Sequence, residues 1–336
     1  MVGVKDVAAR AGVAVGTVSN VLNRPDRVAD STRERVLSAI EELGFVRNEA
    51  ARQLRAGLSN CVGLVVLNAA NPFFNDVAAG AEECAARHGL SVLVGNSAER
   101  EDREDAYLDL FEQQRVRGVL VSPIGAVQPK LDRLRSHGIA TVVVDRDESA
   151  GSCSSVSVDD VAGGALALGH LAELGHRHVA YVGGPDTLRQ VIDRHAGAER
   201  EAARHGVRLE WFRTPGMTIA AGVAAGDELF ARPQGERPTA LFGANDLIAL
   251  GLLQSAAHHR LRVPDDVALV GYDDIQFAEG AAIPLTSVAQ PRHEIGRRAM
   301  EMLLSAADDP DRPTERVVLQ PTLVVRRSTD RHAPMP

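Results

Sequence analysis

VKDVAARAGVAVGTVSNVLN, residues 4–23, is the stretch on which the reading of this chain turns. Val7, Ala11, Val13, Val18 and Val21 recur at the spacing of two short helices that must touch each other. Ala8 is small where those helices cross, and Gly12 stands at the bend, where a left-handed backbone costs glycine little. One amphipathic helix explains Val7 and Ala11, but not a glycine followed by a second apolar period. The spacing therefore predicts a helix-turn-helix, whose second helix enters the major groove of double-stranded DNA. A third helix is expected behind Ser31 and Glu34, read as a capping box. Val36, Ile40 and Leu43 line one of its faces and Gly44 stops it.

Charge is distributed to match. The 336 residues carry a net charge of −8, yet residues 1–58 hold nine Lys/Arg against seven Asp/Glu, and the remainder 28 against 38. A weakly basic head on an acidic body suits a protein that meets phosphate with one end. Cys61, Cys84 and Cys153 form no close-spaced pair, which points to a reducing, cytoplasmic setting. Lys5, Asp6 and Arg10 interrupt any apolar run near Met1, and no apolar stretch approaches membrane-spanning length, so neither an export signal nor a membrane partner is expected. Gly183 and Gly184 follow a strand without the spacing of a dinucleotide loop, and no nucleophile elbow or P-loop occurs. His176 with His178, and His258 with His259, lack a third ligand at a usable spacing. No enzyme activity, metal or cofactor is expected.

Residues 48–57, NEAARQLRAG, follow the head. Ala50, Ala51 and Leu54 give a narrow apolar face, and a helix so short orders only against a partner. From Cys61 onward, short β-branched runs alternate with amphipathic stretches. The runs are VGLVVL (62–67), SVLVG (91–95), GVLVS (118–122) and ATVVVD (140–145), then VAYVGG (179–184), ALFGA (240–244) and VALVGYD (267–273). Helices are expected near 75–88, 102–115, 160–174, 194–205, 245–259 and 291–305. Strands alternating with helices in two series predict an α/β body with parallel sheets in two similar lobes, and a cleft at the carboxyl ends of the strands. Asp145 and Asp273 each follow an apolar strand directly, which puts both at the edge of that cleft.

KDVAARAGV and TVSNVLN in the head, ARQL (51–54) after it, and NPFF (71–74), ELGHRHVAYVGGP (173–185), ANDLIALG (ending at Gly251), GYDDI (271–275) and PLTSVAQP (284–291) in the body occur in one characteristic order. In them the chain resembles the lactose-repressor/galactose-repressor family of bacterial transcription regulators over nearly its whole length. The resemblance implies an all-α helix-turn-helix head at 1–46, a hinge helix at 47–58, and a ligand-sensing, dimerising body at 59–336 like periplasmic sugar-binding proteins. Its lobes would span roughly 59–158 with 291–317, and 159–290 with 318–328. The implied function is that of a ligand-responsive, sequence-specific regulator, a repressor of carbohydrate-metabolism genes that binds a palindromic operator as a homodimer.

The implied DNA contacts are Val15, Gly16, Thr17, Ser19, Asn20 and Asn23 in the second helix, with Arg52 and Leu54 in the hinge. Asn20 can pair with adenine and Val15 can pack on a thymine methyl, while Thr17 and Ser19 suit phosphate. Leu54 takes the place of a leucine that wedges into the minor groove. Ala14 replaces the serine that usually caps the second helix, and Arg47 stands where relatives carry proline. The implied effector residues are Phe73, Phe74, Asp145, Arg194, Asn245, Asp273 and Gln290. Two carboxylates, a planar guanidinium and two amides suit a neutral polyol, probed by an aromatic face. The plainer alternatives are core packing for the phenylalanines and an ion pair between lobes for Arg194 and Asp273. Leu188 and Met217 occupy places where purine-type relatives put an arginine and an aromatic, so a sugar-like effector is favoured over a nucleobase. STDRHAPMP at the end carries no leucine-heptad helix, so a dimer rather than a tetramer is expected. The reading from another class is a small-molecule-binding protein or sugar-modifying enzyme with no DNA role, and neither has a use for residues 1–58.

Overall fold

Three helices, α1 (Val4–Ala11), α2 (Val15–Asn23) and α3 (Asp30–Leu43), build the first of two units, Met1–Leu58 and Ser59–Pro336. The computed structural model describes residues 2–45, 59–147, 153–330 and 332–333, so the expected hinge with Arg52 and Leu54 lies outside the described residues. Val7, Ala8, Ala11, Val18, Val21, Val36 and Ala39 form the core of the head, with Val13, Ile40 and Leu43 packed against it. Gly12 closes α1 at φ 66° and Gly44 closes α3 at φ 60°, both left-handed. One expectation fails here. The third helix begins at Asp30 behind Ala29 with no side-chain cap, so Ser31 lies inside its first turn and forms no capping box with Glu34.

The second unit carries two six-stranded sheets. Its elements in chain order are β1 (Cys61–Val66), α4 (Pro72–Arg87), β2 (Ser91–Asn96), α5 (Glu101–Gln113), β3 (Gly118–Val121), α6 (Gln128–Ser136), β4 (Ala140–Val144), β5 (Ser154–Val158), α7 (Asp160–Glu173), β6 (His178–Val182), α8 (Arg189–His205) and β7 (Arg208–Phe212). Then follow α9 (Ile219–Ala231), β8 (Ala240–Gly243), α10 (Asp246–His258), β9 (Ala268–Asp273), α11 (Gln276–Glu279), β10 (Thr286–Ala289), α12 (Arg292–Asp308), β11 (Arg316–Leu319) and β12 (Thr322–Val324).

One sheet runs β11-β5-β4-β3-β1-β2 and the other β12-β10-β9-β8-β6-β7, the same order taken twice. Every pairing is parallel except that of β12 with β10. Parallel strands need helical crossovers, and helices on both faces bury the apolar runs from either side. Val62, Leu64 and Val66 face one core of the first lobe while Val65 faces the other, as period-two alternation requires. The chain passes between the lobes three times, at Asp159, at Gln290–Pro291 and at Gln320–Pro321. This repetition makes β1 the counterpart of β6, and β4 the counterpart of β9.

Candidate DNA-reading face and effector cleft

Helix α2 buries Val18 and Val21 against its neighbours and turns Val15, Gly16 and Asn20 outward. Gly16 and Asn20 lie one helical turn apart and so share a face. Thr17 and Ser19 flank it, half-buried. Ala14 opens the helix without a side-chain bond, so its first amide groups stay available to an acceptor. Asn23 ends α2, and its side chain is not among those described.

In the body, four polar side chains meet where the two sheets' carboxyl ends face each other. Asn71, which caps α4 in the first lobe, donates from Nδ2 to Asp273 Oδ2 at 2.9 Å, at the end of β9 in the second. Gln190, in the first turn of α8 in the second lobe, donates from Nε2 to the Asp145 carbonyl at 2.8 Å and to its Oδ2 at 2.9 Å, at the end of β4 in the first. The two bridges are counterparts under the internal repeat. In each, an amide at the start of the helix that follows one lobe's first strand holds an aspartate at the end of the other lobe's fourth strand. The aspartates share their backbone as well, with φ 61° at Asp145 and 104° at Asp273. Such conformations cost a non-glycine residue about 1–3 kcal/mol and cluster at functional sites.

Arg194, four residues after Gln190 on α8, lies at the centre. Its Nε donates to Asp160 Oδ1 at 2.7 Å, its Nη1 to the Ala244 carbonyl at 2.7 Å, and Nη1 is 3.9 Å from Asp273 Oδ1. The guanidinium lies 3.7 Å above the Tyr272 ring, a stacked cation–π contact. Gln290, on a connection between the lobes, donates from Nε2 to Asp273 Oδ1 at 2.8 Å. Arg292 donates to Asp76 Oδ2 at 2.8 Å and to the carbonyls of Asp273 and Asp274.

Burial dominates the electrostatics. It pushes Asp145 up to about 8, with Asp160 adding to the rise and Arg194 and the Gln190 bond opposing it. Burial also raises Asp160 and Asp273, each against the pull of Arg194. Burial alone would lower Arg194, but its acidic neighbours, Asp160 foremost, hold it well above its ordinary value. Asp246 is raised most by burial too, yet it is a support: its carboxylate accepts from Ser287 Oγ at 2.7 Å and from Ile275 N at 2.8 Å, fixing the turn after β9.

The structure thus brings together Asp145, Arg194, Asp273 and Gln290 and adds Asn71, Gln190, Asp160 and Tyr272, which the sequence did not single out. Three expected residues fare differently. Asn245 caps α10, accepting from Ile248 N at 2.9 Å and donating to the Met217 carbonyl at 3.3 Å, so both ends of its amide are used locally. Phe73 and Phe74 pack edge to face at 4.9 Å within the hydrophobic core. At 2% and 6% exposure they present little face to a ligand. The alternative for Arg194 and Asp273 also changes: both belong to the second lobe, and the contacts that cross between lobes at the cleft are the Asn71 and Gln190 amide bridges and the Arg292 bonds to the Asp273 and Asp274 carbonyls.

Residues 3–48 match bacterial regulatory proteins of the lacI family, and residues 168–329 match the periplasmic binding protein-like domain. The HTH-type transcriptional repressor PurR of Vibrio campbellii is 31% identical over 331 residues, 98% of each chain. Among solved structures, the transcriptional regulator CelR–cellobiose complex has 31% identity and a TM-score of 0.72, covering 98% of this chain and 100% of that one. The lac repressor dimer bound to operator and the anti-inducer ONPF has 26% identity and a TM-score of 0.82, covering 98% and 99%. A helix-turn-helix head with a two-lobed ligand-binding body defines a DNA-binding regulator of transcription, not an enzyme. The chain belongs to the lacI family of bacterial regulatory proteins. Among the described residues, no helix is long and apolar enough to cross a membrane.

Proposed function

We propose that this regulator represses genes of carbohydrate metabolism by binding a palindromic operator as a homodimer, and that a small sugar-like effector in the interlobe cleft controls it. Asn20 and Val15 read base edges beside Gly16, while Thr17, Ser19, Asn23 and Arg52 meet the backbone and Leu54 wedges the minor groove. In the body, 59–336, the effector engages Asp145, Arg194, Asp273 and Gln290. Phe73, Phe74 and Asn245 shape the wall from behind. An effector changes DNA binding only through different affinity for two lobe arrangements. The reciprocal bridges Asn71–Asp273 and Gln190–Asp145 are the contacts that tell those arrangements apart, and they are the observation that carries this reading.

Two residues support a carbohydrate over the second reading, a purine. Leu188 is fully buried in the core and Met217 packs beside it, so neither supplies the cation or the ring face that a nucleobase would use. For the dimer, β2 is a sheet edge whose Leu93 and Val94 remain 41% and 47% exposed, apolar surface that an edge strand normally covers. A thermal-shift screen of the full chain against cellobiose, ribose, galactose, hypoxanthine and guanine tests the effector class. A sugar that raises the melting temperature supports it; a response to the purines alone contradicts it.

A further inference from the structure

Donors and acceptors in the cleft do not balance. Gln190 Nε2 is given to Asp145, Gln290 Nε2 and Asn71 Nδ2 to Asp273, and Arg194 Nε and Nη1 to Asp160 and the Ala244 carbonyl. Left buried without a partner are Asp145 Oδ1, Gln190 Oε1 and Gln290 Oε1, against the one hydroxyl of Tyr272. The amide orientations are forced. A carbonyl can only accept, so Gln190 must turn its nitrogen to Asp145, and Oε1 is the atom that remains. Gln290 is held the same way by the Asp273 carboxylate. Once Asp145 ionises, charge is one-sided too: Asp145, Asp160 and Asp273 then face two guanidiniums, Arg194, already bonded to Asp160, and Arg292, already bonded to the Asp273 and Asp274 carbonyls.

Resting on the reading of this cleft as the effector site, we propose that it selects its effector by charge: it binds a hydroxyl-rich amine ahead of the parent neutral sugar and rejects sugar acids and sugar phosphates. An ammonium brings three donors and no acceptor to Asp145 Oδ1 and Gln190 Oε1. A hydroxyl brings one donor, and a phosphate brings acceptors to face the Gln190 and Gln290 carbonyls. A proton follows from the same geometry. The charged groups acting on Asp145 are Asp160 at the start of α7, Arg194 on α8 and Asp273 at the end of β9, and burial holds its carboxyl up to about 8. An ammonium beside it favours the ionised form, so amine binding at pH 7 expels a proton. A neutral sugar leaves the proton in place.

The test uses the full chain and matched trios: glucose, glucosamine and glucose 6-phosphate, with the corresponding galactose and mannose sets. Thermal shift finds the trio that binds, and calorimetry in Hepes and in Tris at pH 7 measures affinity and proton release. The amine is expected to bind about tenfold tighter than its parent, with a buffer-dependent heat that the parent lacks, and the phosphate not at all. In Asp145→Asn the amine-to-parent ratio falls toward one and the buffer dependence disappears, whatever happens to absolute affinity. A phosphate that binds as well as the neutral sugar, or an amine that binds without proton release, overturns charge selection while leaving the carbohydrate reading intact. If no member of any trio binds, this proposal falls, while the wider screen with cellobiose and ribose decides the carbohydrate reading separately.

Discussion

Asp145 and Asp273 were legible as cleft residues because an aspartate directly after an apolar strand has nowhere else to stand. Their partners were not. Asn71 caps α4 and Gln190 sits in the first turn of α8, while sequence periodicity starts those helices at 75 and 194 rather than at 72 and 189. Pro72 behind an asparagine is the signal that could have found the first, as N-cap and first helical residue. Leu188 opens α8 without any side-chain cap, so the second left no mark. Asp145 carries a prediction whose sign follows from its burial. In the unfolded chain it ionises near the ordinary 3.8, whereas in the fold it holds its proton to about 8, so its contribution to stability falls as pH rises between those values and then levels off. Asp145→Asn should therefore gain melting temperature over the wild type by a few degrees at pH 8, with the difference shrinking toward pH 4. A difference that is flat with pH contradicts the assignment. In the head, Asn20→Ala should cost roughly 1–3 kcal/mol of operator binding and relax the preference at one base pair per half-site. A uniform loss over all sequences, measured by competition with single-base operator variants, makes Asn20 a phosphate contact instead.

Elements whose core residues are large and apolar could be read directly: α1 to α3 and strands β1 to β4, β6, β8 and β9. The sequence runs identified no strand at β5, β7, β10, β11 or β12 and no helix at α6, α9 or α11. SSVSV in β5 alternates serine with valine, so a fully interior strand shows no apolar run. In α9, alanines and glycines leave a weak amphipathic period, because Gly222 must let the backbone of α10 approach. The same device serves the cleft. A Cβ on Gly164 of α7 would stand 1.9 Å from the Arg194 carbonyl of α8, backbone that cannot swing aside. Gly164→Ala should push α8 and lower the melting temperature by at least several degrees. It should also weaken effector binding, because the backbone it displaces is that of Arg194. Gly235→Ala, which meets nothing within 4 Å, should change neither. Thermal melts of both variants decide it, and a neutral Gly164→Ala refutes the packing argument. At the head, Ala14→Ser would supply the missing cap of α2 and add about 0.5–2 kcal/mol to local stability. Slower amide exchange in residues 15–18 of the full chain is the expected reading, and unchanged exchange would show that the cap position cannot use a hydroxyl.

For the molecule as a whole, the two-lobed α/β architecture and the head followed from patterns repeated along the chain, while the network that joins the lobes depends on pairs 45 and 202 residues apart. No local period reports such pairs, because they form only where the repeated fold brings the two sheets' carboxyl ends together. Ligand occupancy between the lobes is expected to change how the head binds DNA. The most direct measurement selects an operator from random duplexes with the full chain, then titrates it by fluorescence anisotropy with and without a saturating sugar found in the thermal screen. The account predicts a site with dyad symmetry whose affinity changes by about tenfold or more when the sugar is present. A selected site without symmetry, or an affinity that the bound sugar leaves unchanged, contradicts it.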